Sequence, residues 1–303
     1  MKRTRSDIVF DTLNTLFMLL LLVIMIYPLY FVLIASFSDP HAVARGEVKF
    51  FFSGFTFESY QFVFETESIW RGYFNSIVYT ALGTLLNLAL TLPVAYGLSK
   101  KALPGRSALS WFFLFTMYFS GGMIPTYLLV RDLGLINKPV TIIVLGGIAV
   151  YNMIVTRVFF QSSIPEELYE AARIDGASDF RQFFVIALPL SAPIIAVIAL
   201  YYGVGRWNDY YTALIYVTDY KLHPLQMVLR EILLSSQMAL STLTDPTFRI
   251  VDEEYKAFLI RRAYIAEAMK YSLIIVASLP LLIAYPFVQK YFVKGALIGS
   301  LKG

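Results

Sequence analysis

The sequence predicts an all-α integral membrane protein: six transmembrane helices, with a short additional helix on the loop between the fourth and the fifth. Six stretches lack every Asp, Glu, Lys, Arg and His, and hold 27, 28, 24, 18, 24 and 19 residues. A helix rises about 1.5 Å per residue and the hydrocarbon core is about 30 Å thick, so about 20 apolar residues cross it with all backbone polar groups satisfied internally. Composition agrees: 58% of the 303 residues are apolar and 15% charged, against about 45–50% and about 25% in soluble domains. A buried core helix could imitate one such run, not six.

Taken in order, the first run is Thr12 to Ser38. It follows Lys2, Arg3 and Arg5 as a secretory signal would, but it far exceeds a signal core of about 7–15 residues and reads as a retained anchor. Gly72 to Ser99 and Ser107 to Val130 follow. Pro139 to Thr156 is the shortest, and its Gly146-Gly147 pair weakens it as an isolated helix. Gln182 to Gly205 and Tyr271 to Gln289 complete a single domain over residues 1–303, with the elbow loop at 161–181 and a long outer segment at 206–270. Within that segment Ile232 to Thr244 is uncharged for 13 residues, too short to span, and reads as an amphipathic helix. His41 and His223 read as solvated loop histidines. Pro93, Pro125, Pro189, Pro193, Pro280 and Pro286 fall in or at the edges of spans, where each deletes a helix hydrogen bond and bends the axis.

Orientation follows from the basic residues of the short loops. With the N-terminus inside, twelve Lys and Arg lie on inner segments, among them Lys100, Lys101 and Arg106 in a tight turn, against five in the two short outer loops. Both termini are therefore expected in the cytoplasm. The net charge of +4 does not gather into the stripe that nucleic-acid binding needs, so the surrounding partner is lipid.

Absences narrow the function. No run holds an ionisable group of the kind that proton relays and ion-coupled sites use at depth. Cysteine is absent, and no Walker-type loop, G-x-S-x-G or H-E-x-x-H motif occurs. The chain is expected to be no enzyme, and to hold no metal or cofactor. Active transport would need energy from a partner.

The segment Ser162 to Ser178 is the most specific. Ser163 is placed to cap a helix with Glu166 as its reciprocal partner and Pro165 in the first turn, which starts the helix at Ile164. Leu168, Ala171, Ala172 and Ile174 give it a small apolar patch, Glu166, Glu167, Glu170 and Asp175 give it charge, and Gly176 can take positive φ to end it. A second helix starts at Ser178. An interfacial helix would show bulky apolar residues and a basic face; this one is acidic and alanine-rich, which favours docking into a protein groove.

Glu170-Ala171-Ala172, three residues, Gly176, nine residues, Ile186, one residue and Leu188-Pro189 match the EAA signature. Here the chain resembles the permeases of ABC-type importers. Trp207-Asn208-Asp209 and the tail from Gln289 through Gly303 resemble the carbohydrate-uptake group. Within that group the chain is similar to the second membrane subunit of maltose-type systems, and more so to permeases for complex and uronate-containing oligosaccharides. Residues 221–270 depart from the maltose pattern.

The resemblance implies a permease that pairs with a homologous second permease, two ATPase subunits that carry ATP and Mg, and an external solute-binding protein, in a prokaryotic cell membrane. It also implies that Glu166, Glu167, Leu168, Glu170, Ala171, Ala172, Asp175 and Gly176 form the coupling helix against the ATPase. Trp207, Asn208 and Asp209, and less strongly Tyr201 and Tyr202, are expected to line the sugar's path. Lys100, Lys101 and Arg106 read as topology determinants. The alternatives are a secondary carrier, which predicts ion-dependent uptake without ATP, and a membrane enzyme.

Overall fold

The computed structural model describes residues 4–243 and 253–300. They are almost wholly helical: α1 (Arg5–Ser36), α2 (Pro40–Ala44), α3 (Glu58–Glu65), α4 (Glu67–Ser99), α5 (Arg106–Tyr118), α6 (Met123–Asp132), α7 (Pro139–Val144), α8 (Val150–Ser163), α9 (Glu166–Ile174), α10 (Asp179–Gln182), α11 (Leu188–Leu190), α12 (Ala192–Trp207), α13 (Tyr211–Tyr216), α14 (Leu225–Leu243) and α15 (Glu253–Ser300). A π-helical turn, Phe183–Ala187, joins α10 to α11. The chain forms two compact units, one of the residues up to Ile69 with Leu229–Leu279, the other of Trp70–Val228 with the residues from Pro280 on.

In the first unit α1 begins with a reciprocal cap. The Asp7 N–H donates to Thr4 Oγ1 (3.2 Å) and the Thr4 N–H to Asp7 Oδ2 (2.9 Å), satisfying two of the N–H groups that a helix start leaves open. Most of its apolar side chains face outward, as suits a helix whose solvent is lipid. Near its far end Ile34 and Ala35 pack with Ala42, Val43, Val48 and Ala268. Asp39 caps α2 through the N–H groups of His41 and Ala42. His41 is exposed, its ring edge-on to Tyr264 at 4.9 Å.

Three apolar helices are long enough to cross a membrane unbroken: Asp7–Ser36, Glu67–Ser99 and Ala263–Phe287. The other three runs, expected as single spans at 107–130, 139–156 and 182–205, are each broken into two helices, and the bend of the last falls where its prolines were expected to bend the axis. In the third, α5 and α6 meet at 110°, where Gly122 takes φ +85°; with 13 and 10 residues, each limb alone falls short of the about 20 that a crossing needs. In the fourth, α7 stops before Gly146, at φ +72°, and α8 starts at Val150. The fifth bends by 81° at Ser191, between Pro189 and Pro193, neither of which has an N–H to continue the ladder. The sixth run is the middle of α15, which starts at Glu253. Ile232 to Thr244 belongs to the longer α14, except Thr244 itself, which lies outside the described residues, as does Lys302.

Broken helices leave carbonyls that lipid cannot satisfy, and the second unit supplies the donors. Asn87 of α4, fully buried, donates Nδ2 to the carbonyls of Gly146 (2.7 Å) and Gly147 (2.8 Å). Its Oδ1 accepts from Arg206 Nε (3.0 Å), and Arg206 Nη1 donates to the Ile142 carbonyl (2.7 Å). Gly83 makes the room: a Cβ there would stand 2.9 Å from Arg206 Nε. The six runs hold no charge, yet a guanidinium from the residue just beyond the fifth reaches in among the helices. Asn87→Ala unpairs Arg206 Nε and the Gly147 carbonyl, at about 1–3 kcal/mol per group, and leaves the Gly146 carbonyl only its 3.4 Å bond from Arg206 Nη2. Its unfolding midpoint in detergent is expected to fall by about 2–4 °C per kcal/mol lost; an unchanged midpoint would show that the seam carries no load.

His223 is a second correction. It is 3% exposed, not solvated, because the short turn at Tyr220–Leu222 folds it inward, edge-on to Tyr220 at 5.3 Å and with Nε2 3.3 Å from the Val217 carbonyl.

Candidate functional site

The elbow forms a helix where the residues predict one, but its start is built differently. α8 runs through Ser163, so that serine is helical and lacks the extended backbone a capping residue needs. Ile164 and Pro165 are extended instead, and α9 begins at Glu166 with no side-chain cap. Glu166 and Glu167 in the first turn suit the positive end of the helix dipole.

The C-terminal end is as expected. Gly176 takes φ +75°. Its N–H donates to the Arg173 carbonyl (3.0 Å), and the Ala177 N–H reaches back to Ala172 (2.8 Å), the paired bonds that close a helix on a left-handed residue. Ser178 then caps α10, accepting from the Arg181 N–H (3.4 Å).

One side chain moors this helix. Tyr169 is 2% exposed. Its ring lies 6.1 Å from that of Tyr96 at the end of α4, and Tyr96 also meets Phe160 of α8 at 5.8 Å and Phe183 of the π-helical turn at 5.0 Å. The Lys100 ammonium sits over the Tyr169 ring, 2.8 Å from its centroid, with the attraction of a cation for a ring face. Burial, and then the charge of Glu166, push the Tyr169 phenol up to about 12. Burial brings the Lys100 ammonium down to about 8 against the pull of Glu166.

The opposite side of α9 is open. Glu167, Glu170, Ala171 and Asp175 are exposed, Leu168 is 43% exposed and Ile174 is 88% exposed. Ala172 is half-buried and Gly176 exposed. Glu166 pairs with Arg173 at 3.2 Å, an exposed ion pair of little energetic weight. The face therefore offers carboxylates around a few apolar side chains, a composition suited to a protein cleft.

The residues expected on the sugar path do not form one surface. Trp207 is 3% exposed, edge-on to Tyr73 at 5.6 Å. Tyr202 is buried, its hydroxyl 2.7 Å from Thr91 Oγ1 and accepting from the Ala149 N–H at 3.1 Å. Asp209 Oδ1 accepts from the Thr212 N–H, and Asn208 Nδ2 donates to the Val204 carbonyl. Tyr201 and Asn208 are exposed.

Comparison with known proteins decides the lineage. Residues 68–297 match the family described as the binding-protein-dependent transport system inner membrane component. The chain belongs to that family. It is 40% identical to protein LplC of Bacillus subtilis over all of this chain and 98% of that protein. It is 38% identical to the polygalacturonan/rhamnogalacturonan transport system permease protein YtcP of the same organism, over 97% of this chain and 98% of that one. A crystal structure of a bacterial ABC transporter involved in the import of the acidic polysaccharide alginate contains a chain that superposes with a TM-score of 0.84 at 32% identity, covering 96% of this chain and 99% of that one.

The permease is thus a transport subunit of an ABC system, not a secondary carrier or an enzyme, and α9 carries the EAA motif typical of its family. Sequence reasoning missed Tyr169 and Lys100 as the mooring of α9. Spacing alone offered little: Tyr169 lies about 200° around the helix from Glu167 but only about 100° from Glu170. Lys100, read as a topology determinant, also holds the elbow. Reductive methylation of Lys100 requires the neutral amine, so its rate in the folded permease is expected to climb with pH to a midpoint near 8. Peptide mass spectrometry reads this directly, and a midpoint near the ordinary 10.5 would contradict the burial.

Proposed function

We propose that this permease is one of two membrane subunits of an ATP-driven, binding-protein-dependent importer of oligosaccharides, and that α9 receives the movement of an ATPase subunit. The observation that carries this is the two-sidedness of α9: an open acidic and apolar face, and behind it Tyr169 buried against Tyr96 of α4, whose ring also meets Phe160 of α8 and Phe183 of the π-helical turn. Closure of the ATPases would displace α9. The left-handed turn at Gly176 would carry that displacement to α10, and the bend at Ser191 is where α12 can swing.

The basic residues of the short loops support placing α9 and both termini in the cytoplasm. ATP and Mg belong to the ATPase subunits in this reading, and the permease itself holds no cofactor. The sugar class rests on the relatives' polygalacturonan, rhamnogalacturonan and alginate. Tyr201 and Asn208 remain candidates for the path, whereas Trp207, Tyr202 and Asp209 act by shaping the corner beyond α12.

The test is co-purification from the native membrane. Tagged permease should retain an ATPase subunit, and Ile174→Glu, on the open face, should reduce that retention about tenfold, the equivalent of about 1.4 kcal/mol. Full retention by this variant would remove α9 as the docking element.

A further inference from the structure

The turn that carries Lys100 holds cations beyond those that moor α9. A cavity of about 990 Å³ opens between the end of α4, residues 100–106, the end of α8 and the helices α9 and α10. Lys100, Lys101, Arg106 and Arg173 line it, against Glu166 and Asp179. Arg173 pairs with Glu166 and Lys100 lies on Tyr169, leaving Lys101 and Arg106 with no carboxylate partner among the described residues.

A second guanidinium lies close by and is also without a counter-charge. Arg157 of α8 donates Nη1 to Ser110 Oγ (3.0 Å), one turn along α5 from Arg106, and Ser110 in turn donates to the Arg106 carbonyl (2.7 Å). Arg157 holds its charge against burial first, and then against the nearby positive charge of Arg106. Its Nε–H is buried with no hydrogen-bond partner among the described residues. Arg106 spends its own Nε on the Leu98 carbonyl (2.9 Å), which leaves its two terminal nitrogens for another acceptor.

Like charges held together with an unused buried N–H call for an anion, and a tetrahedral phosphate accepts from several guanidinium N–H groups at once. We propose that Arg106 and Lys101 of the cavity wall, with Arg157 joined to Arg106 through Ser110 beside the cavity, bind a phosphate ester, and that its source is the headgroup of an anionic phospholipid in the leaflet on the α9 side. The apolar part of the wall argues for lipid over free phosphate. Pro93, Phe160, Ile164 and Phe183 line the cavity, and Phe180 beside them is 78% exposed, so an acyl chain would find cover next to the cations. The site lies at the end of α4, where headgroups lie for a helix that crosses the bilayer.

The test uses the full-length permease with the subunits it carries, passed through vesicles of phosphatidylcholine with a minor share of phosphatidylglycerol, then examined by native mass spectrometry. Phosphatidylglycerol should be retained about tenfold over its share, and the Arg106→Gln, Arg157→Gln double variant should lose that preference. A soluble source would show instead as no lipid preference together with a rise in unfolding midpoint on adding inorganic phosphate, absent from the variant; the phosphate site would then stand and its lipid assignment fall. Equal behaviour of both proteins toward lipid and phosphate overturns the proposal. If the double variant does not fold, Lys101→Gln on the exposed turn decides: reduced retention or a reduced phosphate shift supports the site, and unchanged values overturn it.

Discussion

Replacing Gly176 with valine is expected to abolish transport while leaving the permease in the membrane at normal amounts. Gly176 stands at φ +75°, where an L residue costs about 1–2 kcal/mol and a β-branched one more. A Cβ at this position would meet nothing within 4 Å, so the penalty is conformational and not steric crowding. The chain can relieve it by abandoning the left-handed turn, which breaks the bonds from Gly176 to Arg173 and from Ala177 to Ala172 and changes the direction in which α9 hands over to α10. Because the strain is in the backbone, the effect should be graded by residue type. Gly176→Asn, which tolerates the left-handed region, should keep most uptake, Gly176→Ala should lose part, and Gly176→Val should fall at least about tenfold for a penalty near 1.4 kcal/mol. Sugar uptake measured beside membrane abundance separates these. Full uptake in the valine variant would remove Gly176 from the transmission of movement.

The second large effect is expected at Tyr169. Truncation to alanine removes the one buried side chain of α9 and leaves a void beside Tyr96, at a cost of about 3–5 kcal/mol for an aromatic ring. Its loss should free α9 from α4 and the π-helical turn without unfolding the rest of the unit, whose core is spread over α4, α8 and α12. Uptake should fail while hydrogen exchange of the α9 amides rises and that of α4 and α12 stays unchanged. Tyr169→Phe provides the contrast. The Tyr169 hydroxyl is buried without a hydrogen-bond partner among the described residues, so removing it should cost little or stabilise, and uptake should persist. If phenylalanine fails as alanine does, the hydroxyl and not the ring's packing matters, and the mooring proposed for α9 is wrong.

These two residues differ in how readable they are. Gly176 could be read directly, since the left-handed end of a helix is a local steric matter and glycine meets it without penalty. Tyr169 could not, because which face of a nine-residue helix is buried depends on what lies behind it. Leu168, Ala171, Ala172 and Ile174 looked like the packing patch, yet Ile174 is 88% exposed and the ring between them does the holding. Ser163 shows the same limit at the other end. Its capping pattern was present, but α8 continued through it because a preceding helix competes for the same residue. Pro189 and Pro193 marked the bend in the run at 182–205, because a missing N–H is a local property, whereas the 110° turn at Gly122 in the run at 107–130 left no trace in hydropathy, since a window average is blind to a change of axis.

The amino-acid order by itself determined that this chain belongs in a membrane, the succession of its apolar segments, and the elbow between the fourth and fifth. All of these depend on properties summed over neighbouring residues: transfer of apolar surface, backbone sterics, and the spacing of charge. Only the tertiary structure decided how the broken helices are tolerated. The carbonyl freed at Gly146 is met by Asn87, 59 positions away, and Asn87 by Arg206, 119 positions further on. Hydrogen bonds at such separations exist only once the chain has folded, because no local preference brings these groups together.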